Sequence, residues 1–175
     1  MAAEIQSVQF EEFILPHLDA AYNLARWLVR NGTDAEDLVQ EAYLRAWKGF
    51  SGFRGADGRG WVLTIVRNTC YTWLRANRRH ELAVEFDERV HSGDVATPEA
   101  ERVLVESAGR ETLEKALQEL PAEFREVIVL RELEELSYKE ISEIAGVPVG
   151  TVMSRLARAR ARLQLCLTPQ ARKEA

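Results

Sequence analysis

The sequence predicts an all-α protein: two small helical domains joined by a flexible acidic linker, the second a helix-turn-helix domain. Three observations predict it. Apolar residues recur at helical spacing along most of the chain. One acidic, turn-forming stretch around Val90-His-Ser-Gly-Asp-Val-Ala-Thr-Pro98 interrupts them. Near the end, a short helix, a Gly-containing turn and a basic helix follow one another. The expected boundaries are 1–79 for the first domain, 80–107 for the linker and 108–175 for the second domain. A length of 175 residues gives each domain enough chain to bury a core.

The elements follow in order. Phe10, Phe13, Ile14, Leu18, Ala21, Leu24, Ala25 and Leu28 keep one helical face, and Pro16 divides a short first helix from a longer second. Asn31-Gly32 ends that run, with Thr33 as the expected cap of the next. From Asp34 to Lys48, Ala35, Leu38, Val39, Ala42, Tyr43 and Ala46 form an apolar stripe. The opposite face carries Glu36, Asp37, Gln40, Glu41 and Arg45. Phe50 to Gly60 reads as a loop with four glycines, and it holds Phe53, Arg54 and Arg59. From Gly60 to Asn77, Val62, Ile65, Val66, Thr69, Cys70, Trp73 and Leu74 share one half of the helical wheel. Thr64, Arg67, Asn68, Tyr71, Arg75, Arg78 and Arg79 fall within an arc of about 120° on the other.

In the second domain, Leu113, Ala116, Leu117 and Leu120 mark a helix that stops near Pro121. Phe124, Val127, Ile128, Leu130 and Leu133 mark another. Ser137-Tyr-Lys-Glu140 is a capping box, in which hydroxyl and carboxylate satisfy each other's orphan amides. Gly146-Val147-Pro148 makes the turn into the last helix. There Val149, Val152, Leu156, Ala159 and Leu163 are expected to face inward, with Thr151, Ser154, Arg155, Arg158 and Arg162 on the other side.

A formal net charge of −5 hides the arrangement of charge. Residues 54–79 and 147–175 each carry +5, whereas 1–53, 80–107 and 108–146 carry −4, −6 and −5. Two basic patches on an acidic background produce local fields that the average conceals. The last helix meets no acidic residue until Glu174. Solvated helix faces mix signs more evenly, which favours DNA binding there.

Other classes fall away. No apolar run reaches the ~18 residues of a membrane span, and the N-terminus has no signal-peptide pattern. Cys70 and Cys166 read as reduced core thiols, and His17, His80 and His91 stand alone, so neither metal nor cofactor is expected. Trp27, Trp47, Trp61 and Trp73 read as core side chains, although Trp61 opens the basic helix. No nucleophile–base constellation emerges, and the Gly-rich loop follows no strand, so an enzyme is not expected. The residues by themselves also fit a free-standing helix-turn-helix regulator, with 1–79 as a sensor or dimerisation module.

Longer motifs carry a resemblance. Asp34-Ala-Glu-Asp-Leu-Val-Gln-Glu-Ala-Tyr-Leu-Arg-Ala-Trp47, Phe53-Arg-Gly, Trp61-Val-Leu-Thr-Ile-Val-Arg-Asn68 and Arg78-Arg79 resemble sigma region two. Leu120-Pro-Ala-Glu-Phe-Arg-Glu-Val, Leu136-Ser-Tyr-Lys-Glu-Ile and Gly150-Thr-Val-Met-Ser-Arg-Leu-Ala-Arg-Ala-Arg160 resemble sigma region four. Together they are similar to the two-domain extracytoplasmic-function (ECF) sigma factors of the sigma-70 family. The resemblance implies a cytoplasmic bacterial protein, a non-catalytic subunit of RNA polymerase that selects promoters in a stress or envelope response. It implies core-polymerase docking (beta-prime and beta subunits) through Asp37, Gln40, Glu41 and Arg45. Minus-ten recognition would fall to Arg54, Arg59, Trp61, Arg67, Asn68, Tyr71, Arg75, Arg78 and Arg79. Minus-thirty-five recognition would fall to Thr151, Ser154, Arg155, Arg158 and Arg162. It further implies an anti-sigma factor as partner and no membrane insertion.

Overall fold

Helix α1 (Ala2–Phe13) opens the chain in the computed structural model, which describes residues 2–81 and 98–167. A 3-10 turn at Leu15–His17, set by Pro16, leads into α2 (Leu18–Val29). Its apolar spacing buries Ala20, Ala21, Leu24, Ala25, Leu28 and Val29. The helix ends on Arg30, left-handed at φ 61°, whose N–H donates to the Arg26 carbonyl. Asn31 then caps α3 (Gly32–Gly49), its side-chain oxygen accepting from the Thr33 and Asp34 amides at 2.9 and 3.1 Å. Asn31 therefore replaces Thr33 as the cap: it is the extended residue (φ −137°, ψ 128°) just before the helix, where its oxygen covers two orphan donors, whereas Thr33 already lies within the first turn.

Helix α3 buries the expected stripe of Ala35, Leu38, Val39, Ala42 and Ala46. A second 3-10 turn, Phe50–Gly52, precedes α4 (Gly58–Glu81), which begins two residues earlier than the sequence indicates. Gly58 permits this: a Cβ there would lie 2.3 Å from the Phe13 carbonyl oxygen. Asp57 supports the first turn by accepting from the Gly60 amide at 3.0 Å. Val62, Leu63, Val66, Thr69 and Cys70 are buried against α2 and α3. Phe10, Ile14, Ala46, Phe50 and Val62 form a second small core beneath α1, with the Phe10 ring edge-on to Trp47 and Phe50 at 5.2 and 5.3 Å.

The second domain comprises α5 (Pro98–Glu119), α6 (Ala122–Ile128), α7 (Tyr138–Ala145) and α8 (Val149–Leu167). Helix α5 starts at Pro98, so ten residues expected as linker are helical, and 82–97 lie outside the described residues. After α6 the backbone widens into a π-helical turn, Val129–Leu133. The Ser137–Glu140 capping box forms as expected. Gly146 takes the left-handed position (φ 66°) that closes α7, and α7 and α8 make the helix-turn-helix.

Three core assignments are corrected. Val149 is 39% exposed because it sits in the open first turn of α8. Cys166 is exposed rather than buried, since α8 extends past the body of the domain. Trp47 lies at the rim of the smaller core and is 38% exposed, while Trp27, Trp61 and Trp73 are half-buried.

The two domains pack together. Leu24, Leu28, Val66 and Cys70 of the first domain and Leu117, Phe124, Val127 and Leu130 of the second belong to one continuous apolar cluster. Burial on this scale is the main cohesive force between them.

Candidate nucleic-acid interface

Helix α3 presents Asp37, Gln40, Glu41 and Arg45 on its exposed face, and Arg45 pairs with Glu41 one turn away. Period and capping produce this face: the stripe that buries Ala35, Leu38 and Ala42 leaves those four side chains pointing outward.

The basic stripe of α4 divides into two groups. Arg54, Asn68 and Arg75 are exposed, bonded locally to the Ser51 carbonyl, the Arg67 guanidinium and the Thr72 hydroxyl respectively. Arg59, Arg67 and Tyr71 instead meet the second domain. Arg59 Nη2 donates to both the backbone carbonyl and the carboxylate of Glu134 at 2.9 Å. Arg67 stacks its guanidinium 4.3 Å from the centre of the Tyr71 ring, and both side chains donate to Glu126, Tyr71 at 3.0 Å. Arg78 and Arg79 lie on the α4 backbone, but their side chains are outside the described residues.

Burial pushes the carboxyl of Glu126, which has no exposed surface, above the ordinary carboxylate range, against the opposing pull of Arg67, Tyr71 and Arg155. Burial also opposes the Arg67 charge, but the Glu126 hydrogen bond and charge outweigh it and raise its pKa. Burial, with Glu126 adding to it, raises Tyr71 far above the usual phenol value, so its hydroxyl acts only as a neutral donor.

Beside this contact lies a cleft of about 430 Å³. Phe53, Gly55, Gly60 and Trp61 wall it from the first domain, and Glu140 and Glu143 from the second. The Phe53 and Trp61 rings meet at 4.8 Å with a 40° tilt. Aromatic faces on a glycine-bearing loop are a surface on which a planar base stacks.

On α8, Ser154 and Arg158 are exposed, and Thr151 and Arg155 are half-buried. Arg162 lies over the Phe124 ring at 4.9 Å, which ties it to α6. Among the described residues, no group of three His, Cys, Asp or Glu side chains is placed to hold a metal ion.

Sequence reasoning missed Arg125, Glu126 and Glu134. The signal was present in Phe124-Arg-Glu-Val-Ile-Val-Leu130, where two adjacent charges interrupt an apolar run that is buried on every side. Arg125 is 2% exposed and donates to the carbonyls of Gln118, Leu120 and, across the domain boundary, Leu28.

A helical domain with a basic helix behind a Gly-rich loop packs against a helix-turn-helix domain, the architecture of a two-domain helical protein. Residues 13–80 match Sigma-70 region 2, and residues 110–163 match Sigma-70, region 4. The ECF RNA polymerase sigma-E factor of Haemophilus influenzae is 36% identical over 155 residues, 83% of this chain and 80% of that one. The ECF RNA polymerase sigma factor SigE of Mycolicibacterium smegmatis is 35% identical over 158 residues, 89% of this chain and 60% of its own length. The sigma factor RpoE of Bartonella quintana, solved with the anti-sigma factor NepR, superposes with a TM-score of 0.71 at 30% identity, covering 91% of this chain and 96% of that one. CnrH, solved with the cytosolic domain of CnrY, gives 0.62 at 28% identity, covering 95% and 94%. The chain belongs to the ECF sigma factors of the sigma-70 family, with region 2 and region 4 domains.

Proposed function

We propose that this sigma factor is taken up by core RNA polymerase and selects promoters through α4 and α8, the first reading and opening the minus-ten element and the second reading the minus-thirty-five element. One observation carries the reading: a single chain holds two separate cationic helices, one behind an aromatic, Gly-rich cleft and one in a helix-turn-helix. The α3 face of Asp37, Gln40, Glu41 and Arg45 is the polymerase-docking surface: all four side chains are exposed, and only Arg45 also reaches inward, to the Thr69 hydroxyl of α4 at 3.4 Å.

In the first domain, Arg54, Arg59, Arg67, Arg75, Arg78 and Arg79 neutralise phosphates, and Asn68 offers an amide to a base edge. Tyr71 and Trp61 stack, with the cleft beside Phe53 receiving an extruded base. In the second, the first turn of α8 and Thr151 approach phosphate, while Ser154, Arg155 and Arg158 enter the major groove and Arg162 contacts the backbone. An anti-sigma factor, the kind of partner bound to RpoE of Bartonella quintana, regulates the chain by covering these surfaces. Among the described residues no helix is long and apolar enough to cross a membrane.

Run-off transcription with core polymerase tests this reading. Discrete transcripts from promoters mapped after overexpression are expected. Failure to initiate on any of them would overturn it.

A further inference from the structure

We propose that Met153 is a specificity-determining residue of the second domain: its side chain packs on a thymine methyl in the major groove, and Gly150, one turn earlier, lets α8 come close enough for it to reach. The inference rests on the reading of α8 as the minus-thirty-five helix. Met153 is 53% exposed, and Val149, one turn before it, is exposed as well. A single exposed methionine is ordinary protein surface. Its company on the helix is what marks this one. At ~100° per residue, Met153 stands on one side of the exposed face of α8 and Ser154 and Arg158 on the other. Between them lie Gly150, Ala157 and Ala161, all exposed and none carrying more than a methyl group. Beyond Met153, Arg160 pairs with Glu132. Met153 thus stands clear of its neighbours, at the edge of a face low enough to lie against a base pair.

Nothing within the fold requires glycine at 150. Its φ is not left-handed, and a Cβ there would meet nothing beyond its own turn of helix within 4 Å. Glycine is the costliest helix residue after proline, so the bare position answers to a surface outside the chain. Without a side chain there, the first turns of α8 seat deeper in a groove.

The chemistry of the side chain selects thymine. A thioether donates no hydrogen bond and accepts only weakly, and its rotatable bonds let it settle on an irregular apolar surface. In the major groove the thymine C5 methyl is the apolar group that a base pair presents. Cytosine in its place offers no methyl and brings an amino donor that the thioether satisfies poorly. Ser154 reads a different group. Its hydroxyl donates to the Thr151 carbonyl at 3.0 Å, so its lone pairs are what it offers to a base, and they suit an amino group.

The test is promoter binding by reconstituted holoenzyme, core polymerase with the full chain, on one mapped promoter. Each thymine of the minus-thirty-five element, on either strand, is replaced in turn by deoxyuridine, which removes the methyl and keeps the O4 acceptor and the pairing. Thermal melts establish that each protein variant is folded. At one position the exchange should weaken wild-type binding about fourfold, the worth of one buried methyl-sized group. Met153→Ala should bind the unmodified promoter at least about fourfold more weakly and show no deoxyuridine penalty there. Met153→Leu, apolar and similar in volume, should show the penalty again. Gly150→Ala should lose promoter affinity without a fall in Tm, since its methyl meets open space in the free chain. Wild-type holoenzyme that protects the element from nuclease yet ignores every deoxyuridine would overturn the methyl contact and leave the reading of α8 standing. A penalty that persists unchanged in Met153→Ala would overturn the part given to Met153. Full affinity in Gly150→Ala would overturn the close approach. An element left unprotected by holoenzyme would overturn the reading of α8 itself, and the inference with it.

Discussion

Arg125→Ala is the substitution whose effect can be worked most directly from the structure. The side chain is 2% exposed, and its guanidinium holds three carbonyls: Gln118 at 2.8 Å, Leu120 at 3.0 Å and Leu28 at 3.1 Å. The first two are orphan acceptors at the end of α5, and the third closes the contact with α2. A buried carbonyl that loses its donor costs about 1–3 kcal/mol. The Gln118 carbonyl lies at a part-buried edge that water reaches, so it counts for little. The remaining two give about 3 kcal/mol. For a chain of this length, that is a fall in Tm of about 6–12 °C. Arg125→Lys, with one ammonium in place of a planar fork, should lose about half as much. Thermal melts followed by far-UV circular dichroism provide the assay. A Tm for Arg125→Ala within about 2 °C of wild type would refute the reasoning.

Further outcomes follow from other parts of the molecule. Arg155→Ala should abolish promoter selection in transcription assays while leaving pull-down of core polymerase intact; loss of polymerase binding would contradict its assignment to DNA. Iodoacetamide at about pH 8 should add one adduct to the native chain, at exposed Cys166, and two in denaturant. Burial pushes the Cys70 thiol up to about 12, so mass spectrometry showing native Cys70 modified at the rate of Cys166 would contradict its burial. Ser137→Ala should cost about 1 kcal/mol through the lost capping box. Hydrogen bonds from Ser137 hold the Glu140 carboxyl below its ordinary value of 4.5. That contribution is complete above the unfolded value and is lost as pH falls through the lower folded one. The stability difference between wild type and Ser137→Ala should therefore shrink on acidification below about pH 4.

Local rules made most of the helices legible. The α3 stripe follows from period alone, and the α7 cap from Ser137 and Glu140 standing three residues apart. Misplacements arose where two neighbours competed for one role. Arg30 takes the left-handed position ahead of Gly32, and Asn31 reaches the α3 amides ahead of Thr33. The relation between the domains was not legible. Arg67 and Tyr71 find their partner 59 and 55 residues away, and nothing on α4 itself distinguishes a stripe that faces DNA from one that faces an acidic helix. Arg125 and Glu126 offered the available signal, since charge within a run too apolar to be exposed must have a partner inside the protein.

The central claim is that this sigma factor reads promoters through two separate faces that polymerase must bring to bear together. Footprinting on one mapped promoter, with and without core polymerase, tests it most directly. The account predicts weak, unlocalised binding by the chain alone and protection of both the minus-ten and minus-thirty-five elements once polymerase is added. Nanomolar, sequence-specific protection by the chain without polymerase would contradict it.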